Sequence, residues 1–374
     1  MPTHHPIDHP IGRHIGLSLG RLSHWHDGLG EFSRQLGLAL AARAQQLHDE
    51  LGWRLHFHLP AKFHGVFGDQ VGYLATHTTQ RWLHLRSTRF ALWHVLHQHN
   101  RLRAPLGTQR LVETVHDLNF LHAKSAAKIE RYRARQRRRL ARCDAAIAIT
   151  HYVAQDLARE LARELAPLPT PVTVIHNGAT DLTAAPQQPV DGVAGTPGAP
   201  PVPYLLHISR MAPSKNIVAL LDLAAAWPAQ RLVLAGATST YTGEVRRLIA
   251  ERGLHNVLVR LDLAEPQKAW LYAHCSGFVF PSLAEGFGLP PIEAMHFGKP
   301  VFLSRRTSLP EVGGTLAHYF DSFDGTAMRA VVQAGLLADA APGRAEAIAA
   351  HARGFSWQRC ADQHVALYRH VMDA

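Results

Sequence analysis

The segment that most constrains this chain is residues 276–298, SGFVFPSLAEGFGLPPIEAMHFG. The apolar run FVF within it predicts a buried strand, and the glycine-broken sequence EGFG that follows predicts a loop. Pro290 and Pro291 suit a first helical turn, where the missing N–H would have no partner, and Gly298 suits the residue that ends the helix. The segment therefore predicts a strand, a loop and a short helix.

Two carboxylates and a glycine loop make this segment a candidate ligand site. A glycine loop that leads into a helix presents backbone N–H groups and the positive end of the helix dipole to an anion. Glu285 precedes the helix and Glu293 lies inside it, with seven residues between them. Because ionised carboxylates accept hydrogen bonds from hydroxyls, the combination predicts a nucleotide sugar as the ligand.

The same residues carry a family resemblance. Glu285 and Glu293, set in EGFGLPPIEAM and followed by GKPV, resemble the signature of the family 4 retaining glycosyltransferases. The resemblance implies the GT-B fold, an α/β architecture of two doubly wound Rossmann-like domains that face a central cleft. It also implies that Glu293 binds the ribose hydroxyls and Glu285 the sugar hydroxyls. The loop residues expected to bind the donor are Gly286, Phe287, Gly288 and Leu289.

A second segment, HISRMAPSKN at 207–216, predicts a diphosphate site. Arg210 and Lys215 flank a proline turn after an apolar strand, where cations can meet phosphate. The segment resembles the phosphate-binding segment of the same family, except that Ser209 stands where glycine is usual. If glycine lets the backbone approach the phosphate, Ser209 narrows that space. The family holds the base with backbone that corresponds to Arg260 and Leu261.

The sequence predicts catalysis without a metal. No D-x-D sequence occurs in the chain, so the charge that develops on the leaving phosphate needs another partner. Arg210, Lys215 and helix amides are predicted to supply it, and no cofactor is expected. The histidine-rich stretches at 56–58 and 94–99 lack carboxylates or cysteines at ligand spacing, so they are predicted to be strand and loop histidines.

Two glycine motifs near the N-terminus have different interpretations. Gly28 and Gly30, between an apolar strand and a helical pattern, predict a turn that faces the donor phosphates, although a plain tight turn stays open. The sequence G-x-S-x-G at 16–20 is that of a hydrolase elbow, but an elbow runs straight into a helix and RLSHWHDG intervenes here. Ser18 is therefore predicted to be an ordinary strand serine.

His116 is the candidate site residue of the N-terminal half. It follows the apolar strand 111–115, and ligands of open parallel sheets bind beyond the carboxyl ends of strands. TVHDLNFL resembles a block of the same family whose histidine reaches the transferred sugar, which predicts that role for His116. A buried structural histidine is the alternative.

The charge balance favours anionic partners without choosing among them, since 39 basic and 29 acidic residues give a formal net charge of +10. Residues 128–142 hold eight basic side chains against Glu130. Two interpretations stay open for this segment: a solvated face, or a helix that contacts an anionic membrane surface. Nucleic acid is not an expected partner, because Tyr132 is the one aromatic residue interleaved there.

Composition also predicts the domain organisation. Residues 184–203 are rich in proline, glycine and alanine and predict a linker between an N-terminal acceptor-side domain, 1–183, and a nucleotide-sugar-binding domain, 204–355. By resemblance, a C-terminal helix at 356–374 joins the first domain. Three widely spaced cysteines, a start without an apolar h-region and no apolar run of about 20 residues predict a cytoplasmic protein, at most peripheral on the inner face of the cytoplasmic membrane.

These observations predict a retaining glycosyltransferase that moves a hexose from a GDP- or UDP-sugar to a glycan or lipid-linked acceptor in cell-surface polysaccharide synthesis. Resemblance to polysaccharide mannosyltransferases favours mannose. The residues expected to act on the reacting groups are His116, Arg210, Lys215 and Glu285. Two alternatives stay open: a nucleotide-sugar hydrolase or epimerase on the same fold, and a polyanion-binding protein built around 128–142.

Overall fold

The computed structural model describes residues 13–22, 24–25, 28–123, 125–162, 170–194 and 202–374. The chain forms two compact units, one of residues 1–178 and 357–374 and the other of residues 179–356. The N-terminal ten residues considered for a signal peptide and part of the predicted linker, 195–201, lie outside the described residues.

The first unit is built on a parallel sheet. Its described strands are β1 (Arg13–Ser18), β2 (Trp53–Leu59), β3 (Gly72–Ala75), β4 (Phe90–Val95), β5 (Arg110–Val115), β6 (Ala145–Ala148) and β7 (Val172–Val174). They lie in the order β3-β2-β1-β4-β5-β6-β7, and each neighbouring pair is parallel. The strand order changes direction between β1 and β4, which is therefore the topological switch point of a doubly wound sheet.

Helices of the first unit come from both ends of the chain. They are α1 (Gly28–Ala41), α2 (Ala44–Leu51), α3 (Phe120–Ala123), α4 (Ala126–Leu140), α5 (His151–Ala162) and the C-terminal α13 (Trp357–Asp373). The hydroxyl of Tyr368 on α13 lies 2.7 Å from Nδ1 of His94 on β4, and both side chains are fully buried. The last helix is thus part of the core of the first unit.

The second unit repeats this design. Its described strands are β8 (Tyr204–Ile208), β9 (Arg231–Gly236), β10 (Val257–Leu261), β11 (Gly277–Phe280), β12 (Val301–Ser304) and β13 (His318–Phe320). They lie in the order β10-β9-β8-β11-β12-β13, all parallel, with the switch point between β8 and β11. These strands are short apolar runs because both faces of a parallel sheet are buried.

Helices connect the strands of the second unit. They are α6 (Ile217–Ala226), α7 (Thr242–Glu251), α8 (Glu265–His274), α9 (Leu289–His296), α10 (Leu309–Gly313), α11 (Gly325–Asp339) and α12 (Arg344–Arg353). Across the described part of the chain, no helix has both the length and the apolar character that a membrane span requires.

The segment predicted to be a linker is partly ordered against the second unit, which begins at Ala179 rather than after the linker. Val190 and Val193 are buried. The backbone N–H of Gln188 donates to the carbonyl of Pro266, and Nε of Arg260 donates to the carbonyl of Asp191. Within the predicted linker, residues 184–194 are therefore not a free connection, and for this part the prediction was wrong. Composition alone does not show that two isolated valines are buried.

A buried chain of polar side chains joins β1, β2 and the segment after β3. Asn100 Nδ2 donates to Ser18 Oγ at 2.8 Å, and Ser18 Oγ lies 2.9 Å from His58 Nδ1. His58 Nε2 lies 3.0 Å from Gln80 Oε1. Since an amide oxygen only accepts, His58 carries its proton on Nε2, and Ser18 donates to Nδ1. The network requires a neutral His58.

This network predicts that acid destabilises the fold. Burial, together with the charges of His84, Arg86 and His77, lowers the pKa of His58 to about 3, although the hydrogen bond that His58 donates to Gln80 raises it. An unfolded histidine has a pKa of about 6.5, so below that pH the unfolded chain binds a proton that the folded chain excludes. The stabilisation is complete above about pH 6.5 and is lost as the pH falls toward 3, with about 2 kcal/mol lost at pH 5.

Urea unfolding of the wild type and of His58→Gln between about pH 7.5 and 5 tests this expectation. As the pH falls, the unfolding free energy of the variant should decline less steeply than that of the wild type, and the difference in slope should correspond to one bound proton. Identical slopes for the two proteins would contradict a neutral His58.

Candidate active site

The predicted site residues of the second unit lie at its topological switch point. Arg210 and Lys215 are in the connection after β8, and Glu285 is in the connection after β11. β8 and β11 are neighbouring parallel strands, so their carboxyl ends open at the same edge of the sheet. In open α/β sheets, ligands bind in the crevice outside that edge.

Lys215 and Glu285 are in direct contact. Nζ of Lys215 lies 2.5 Å from Oε1 of Glu285, and the side chains are 19% and 12% exposed. The hydroxyl of Ser282 donates to the same carboxylate oxygen at 2.5 Å, and Nζ lies 5.5 Å from the centre of the Phe280 ring. A cation and a hydrogen-bond acceptor are thus held side by side in the connections that follow β8 and β11.

The loop that carries Glu285 is held from both sides. On one side, Leu283 N donates to the carbonyl of Ser214 at 2.8 Å. On the other, Glu285 N donates to Oγ1 of Thr307 at 3.0 Å, and Ser308 Oγ donates to the carbonyl of Phe287 at 3.0 Å. These hydrogen bonds fix the position of Glu285 relative to the connections after β8 and β12.

Three non-glycine residues in strand connections of the second unit adopt a left-handed backbone conformation. Asn216 follows β8, Asp262 follows β10 and Thr307 follows β12, and each has a φ of 54°. Such conformations cost about 1–3 kcal/mol each and persist where the surrounding structure requires them. They are frequent at ligand sites, which agrees with the position of the candidate site.

α9 begins directly after the glycine loop. Gly288 has a φ of 111° and precedes the first helical residue, Leu289, and the prolines predicted to open the helix lie in its first turn. Inside α9, Glu293 accepts a hydrogen bond of 2.7 Å from the hydroxyl of Tyr272. Burial raises the pKa of Tyr272 well above its usual value, and the neighbouring Glu293 raises it further. Tyr272 therefore remains a donor that orients Glu293.

Ser209, which stands where glycine is usual in the resembled family, has a partner inside the sheet. Nδ1 of His207 lies 2.9 Å from the carbonyl of Val279, so this nitrogen donates. Nε2 of His207 then accepts from Ser209 Oγ at 2.7 Å. Burial, together with the charge of Lys215, lowers the pKa of His207 to about 4. The serine hydroxyl is thus directed at a neutral histidine.

Arg210 and Arg260 differ in their exposure and in their hydrogen bonds. Arg210 is exposed at the start of the connection after β8. Arg260 donates to the carbonyls of Asp191 and Val259 at 2.9 and 3.0 Å. Arg260 and Leu261 end β10, two strands away from the switch point. The predicted base contact of these two residues involves backbone, and it stays a prediction.

In the first unit, His116 is buried beyond the end of β5 and is 5% exposed. Nε2 lies 2.9 Å from the carbonyl of Leu96 and therefore donates to it. The ring meets that of Phe32 edge to face at 4.5 Å. Burial lowers the pKa of His116 to about 3, so the ring is neutral near pH 7. The predicted contact with a sugar would therefore use a neutral imidazole.

The loop around His116 is supported by the basic helix. On α4, Arg139 pairs with the buried Glu113 and donates to the carbonyls of Gln98 and Asn100 at 2.8 and 2.6 Å. Gln98 in turn accepts from the backbone N–H of His116 at 3.1 Å. Neither Glu113 nor this role of Arg139 was predicted. A run of basic residues in a sequence does not show which of its arginines is buried.

The glycine turn after β1 differs from its prediction. Gly28 and Gly30 lie in the first turn of α1 rather than in a loop. A side chain on Gly30 would lie 2.9 Å from the backbone of Trp25, whereas one on Gly28 would meet nothing within 4 Å. Glycine is therefore needed at position 30 because the backbone of Trp25 packs against it. The proposed contact of Gly28 and Gly30 with donor phosphate stays a prediction.

The elbow-like serine is not a nucleophile. Ser18 is the last residue of β1, is fully buried and is bonded to His58 and Asn100. A hydrolase elbow needs its serine exposed on a sharp turn.

Two doubly wound parallel units, the second with Lys215 and Glu285 paired at its switch point, define a class of α/β proteins built from two Rossmann-like units. Sucrose-phosphate synthase from Thermosynechococcus elongatus is similar with a TM-score of 0.69 and 22% identity, over 96% of this chain and 99% of that one. Anabaena HepE in complex with UDP and glucose is similar with a TM-score of 0.63 and 17% identity, over 95% and 99%. The predicted GT-B fold class is confirmed.

Residues 198–318 match the family described as Glycosyl transferases group 1. O-antigen chain mannosyltransferase B of Escherichia coli is 36% identical over 174 residues, which are 44% of this chain and 45% of that protein. Serotype-specific mannosyltransferase WbdA of Escherichia coli is 36% identical over 177 residues, 45% of this chain and 21% of that protein. The matches span less than half the length of these relatives. Residues 198–318 are therefore similar to a group 1 glycosyltransferase domain.

Proposed function

We propose that this protein is a retaining glycosyltransferase that moves a hexose from a nucleotide-diphosphate sugar to a glycan or lipid-linked acceptor in cell-surface polysaccharide synthesis. The contact between Lys215 and Glu285 carries the proposal, since it holds a cation 2.5 Å from a carboxylate at the switch point. A sugar diphosphate needs these two groups together: the cation for the phosphate and the carboxylate for the adjacent sugar hydroxyls.

The remaining groups extend this assignment. We propose that Arg210, exposed in the same connection, and the N-terminal amides of α9 share the charge that develops on the leaving diphosphate. Glu293, oriented by Tyr272, is proposed to accept from the ribose hydroxyls. Because Lys215 and Arg210 already supply positive charge, transfer is proposed to need no metal.

Similarity to O-antigen mannosyltransferases supports mannose as the sugar. The nucleotide is proposed to be GDP or UDP. A peripheral contact with an anionic membrane surface is proposed as well, since a lipid-linked acceptor would be presented there. Within 128–142, Arg133 and Arg139 pair with Glu160 and Glu113 of their own unit. The exposed cations of this segment that remain for such a contact include Lys128, Arg131 and Arg138.

Thermal unfolding with GDP, UDP, ADP and their sugars, with chelator present, tests the donor site. A ligand at 100 times its Kd should stabilise the wild type by about 2.7 kcal/mol. Glu293→Ala should lose that stabilisation, whereas Glu346→Ala should keep it, because Glu346 is an exposed carboxylate paired with Arg353 on α12. Stabilisation of Glu293→Ala equal to that of the wild type would exclude the proposed nucleotide site.

A further inference from the structure

Four large apolar side chains are exposed in one region of the first unit. Backbone bonds join the two segments that carry them: Arg103 N donates to the carbonyl of Gln80 at 2.9 Å, and Leu106 N donates to that of His84 at 2.8 Å. The members of this apolar patch and their exposed fractions are Trp82 (67%), Leu83 (56%), Leu85 (62%) and Leu106 (71%). The patch lies in the connections from β3 to β4 and from β4 to β5.

The segments are held so that the patch faces outward. His84, between the exposed residues, is 3% exposed, and its Nδ1 donates to the carbonyl of Arg103 at 2.9 Å. The His84 ring meets Trp93 of the sheet core edge to face at 5.5 Å. On the second segment, Leu102 is buried beside the exposed Leu106. The apolar side chains are therefore presented by an ordered surface.

The surroundings of the patch are basic. From residue 70 to residue 112 the sequence has no aspartate or glutamate and six arginines. Those with exposed side chains are Arg86, Arg89, Arg101 and Arg103. An apolar surface whose segments also carry exposed arginines is complementary to a partner with an apolar interior and an anionic surface.

We propose that the apolar patch and its arginines dock on the surface of an anionic lipid bilayer. Tryptophan favours the membrane–water interface, leucines bury their area below the headgroups, and arginines near an anionic leaflet strengthen binding by roughly fivefold each. α4 offers charge without this apolar area, since none of the exposed large apolar side chains among the described residues lies on it. The inference does not depend on sugar transfer, and vesicle binding can fail while donor binding succeeds.

Sedimentation with vesicles tests the surface. The wild type should bind vesicles with about 30% phosphatidylglycerol and bind phosphatidylcholine at least tenfold more weakly, at low salt. Trp82→Ser and Leu106→Ser should each weaken binding by roughly tenfold. Leu337→Ser is the matched control, because Leu337 is an 80% exposed leucine of the second unit, and it should bind as the wild type does.

Two double variants compare the contribution to vesicle binding of the arginines near the patch with that of the arginines on α4. Arg86→Gln with Arg101→Gln should weaken binding by roughly 25-fold, and Arg131→Gln with Arg138→Gln by less than about fivefold. Thermal unfolding of the Trp82, Leu106, Leu337 and Arg131 with Arg138 variants should match that of the wild type, since these side chains are exposed. Arg86 also donates to His84 and to the carbonyl of Ala75, so the folded fraction of its variant is measured before vesicle binding is compared.

A fluorescent label reports contact directly. The native thiols of Cys143, Cys275 and Cys360 are buried, and burial raises their pKa, so they react slowly. A polarity-sensitive dye on Leu106→Cys should shift to the blue with anionic vesicles, whereas the same dye on Leu337→Cys should not.

Three results would overturn the proposal. The first is a wild type that binds no vesicles. The second is loss of binding in the Arg131 and Arg138 variant while the patch variants still bind. The third is a dimer of the wild type that Leu106→Ser dissociates, which would show that a second copy covers the patch.

Discussion

Lys215→Ala is expected to lower kcat/KM for the sugar donor by about 100- to 1,000-fold. The ammonium group lies 2.5 Å from Glu285 at the switch point, where the proposal places the diphosphate. Negative charge grows on that group as the bond to the anomeric carbon breaks, and a fixed cation stabilises it more in the transition state than in the ground state. The loss should therefore fall mainly on kcat.

Two comparisons make the result specific. Arg353→Ala removes a cation that pairs with Glu346 on α12 of the same unit, and it should leave kcat/KM unchanged. Lys215→Ala also leaves the 12% exposed Glu285 without its cation, so the fraction of folded protein must be measured at the assay temperature. If a fully folded Lys215→Ala keeps kcat/KM within about threefold of the wild type, Lys215 does not contact the leaving group.

Gly236→Ala is expected to destabilise the fold by about 4 kcal/mol. Gly236 ends β9 with a φ of 144°, a conformation that side chains disfavour. A methyl group there would overlap the carbonyl oxygen of Ser209. Ser209 N is also bonded to the carbonyl of Ala235 at 3.0 Å, so neither strand end can move without breaking the ladder.

The matched control is Gly243→Ala in α7. A methyl group on Gly243 would meet nothing within 4 Å, and alanine favours a helix, so this variant should be more stable by up to about 1 kcal/mol. Urea unfolding of both variants measures the difference. A Gly236→Ala protein as stable as the wild type would show that the backbone at this strand end can shift at little cost. Because Arg210 follows Ser209, we also expect weaker donor binding in any Gly236→Ala that folds.

Local signals predicted much of the fold. The segment 276–298 was expected to be a strand, a loop and a helix, and the structure has β11 at 277–280 and α9 at 289–296. The apolar runs behind this prediction are buried in a parallel sheet, where period and length are visible in the sequence. Composition was less informative: it labelled 184–194 as linker although Val190 and Val193 are buried.

The candidate site was predicted in part. The sequence motifs identified Glu285, Glu293, Arg210 and Lys215 as site candidates, because each follows a strand or opens a helix in a recognisable pattern. The sequence did not show that Tyr272 binds Glu293, since nothing about a tyrosine on a helix marks its partner.

The sequence by itself determined the local elements, the predominance of positive charge and the residue types available for chemistry, because these depend on neighbours along the chain. Only the tertiary structure decided which of those residues meet. Lys215 and Glu285 are 70 positions apart and come together because β8 pairs with β11. Burial likewise makes His116 neutral, and hydrogen bonds between distant segments hold Trp82 and Leu106 in one exposed patch. Contacts between distant segments depend on strand order and packing, which no local pattern encodes.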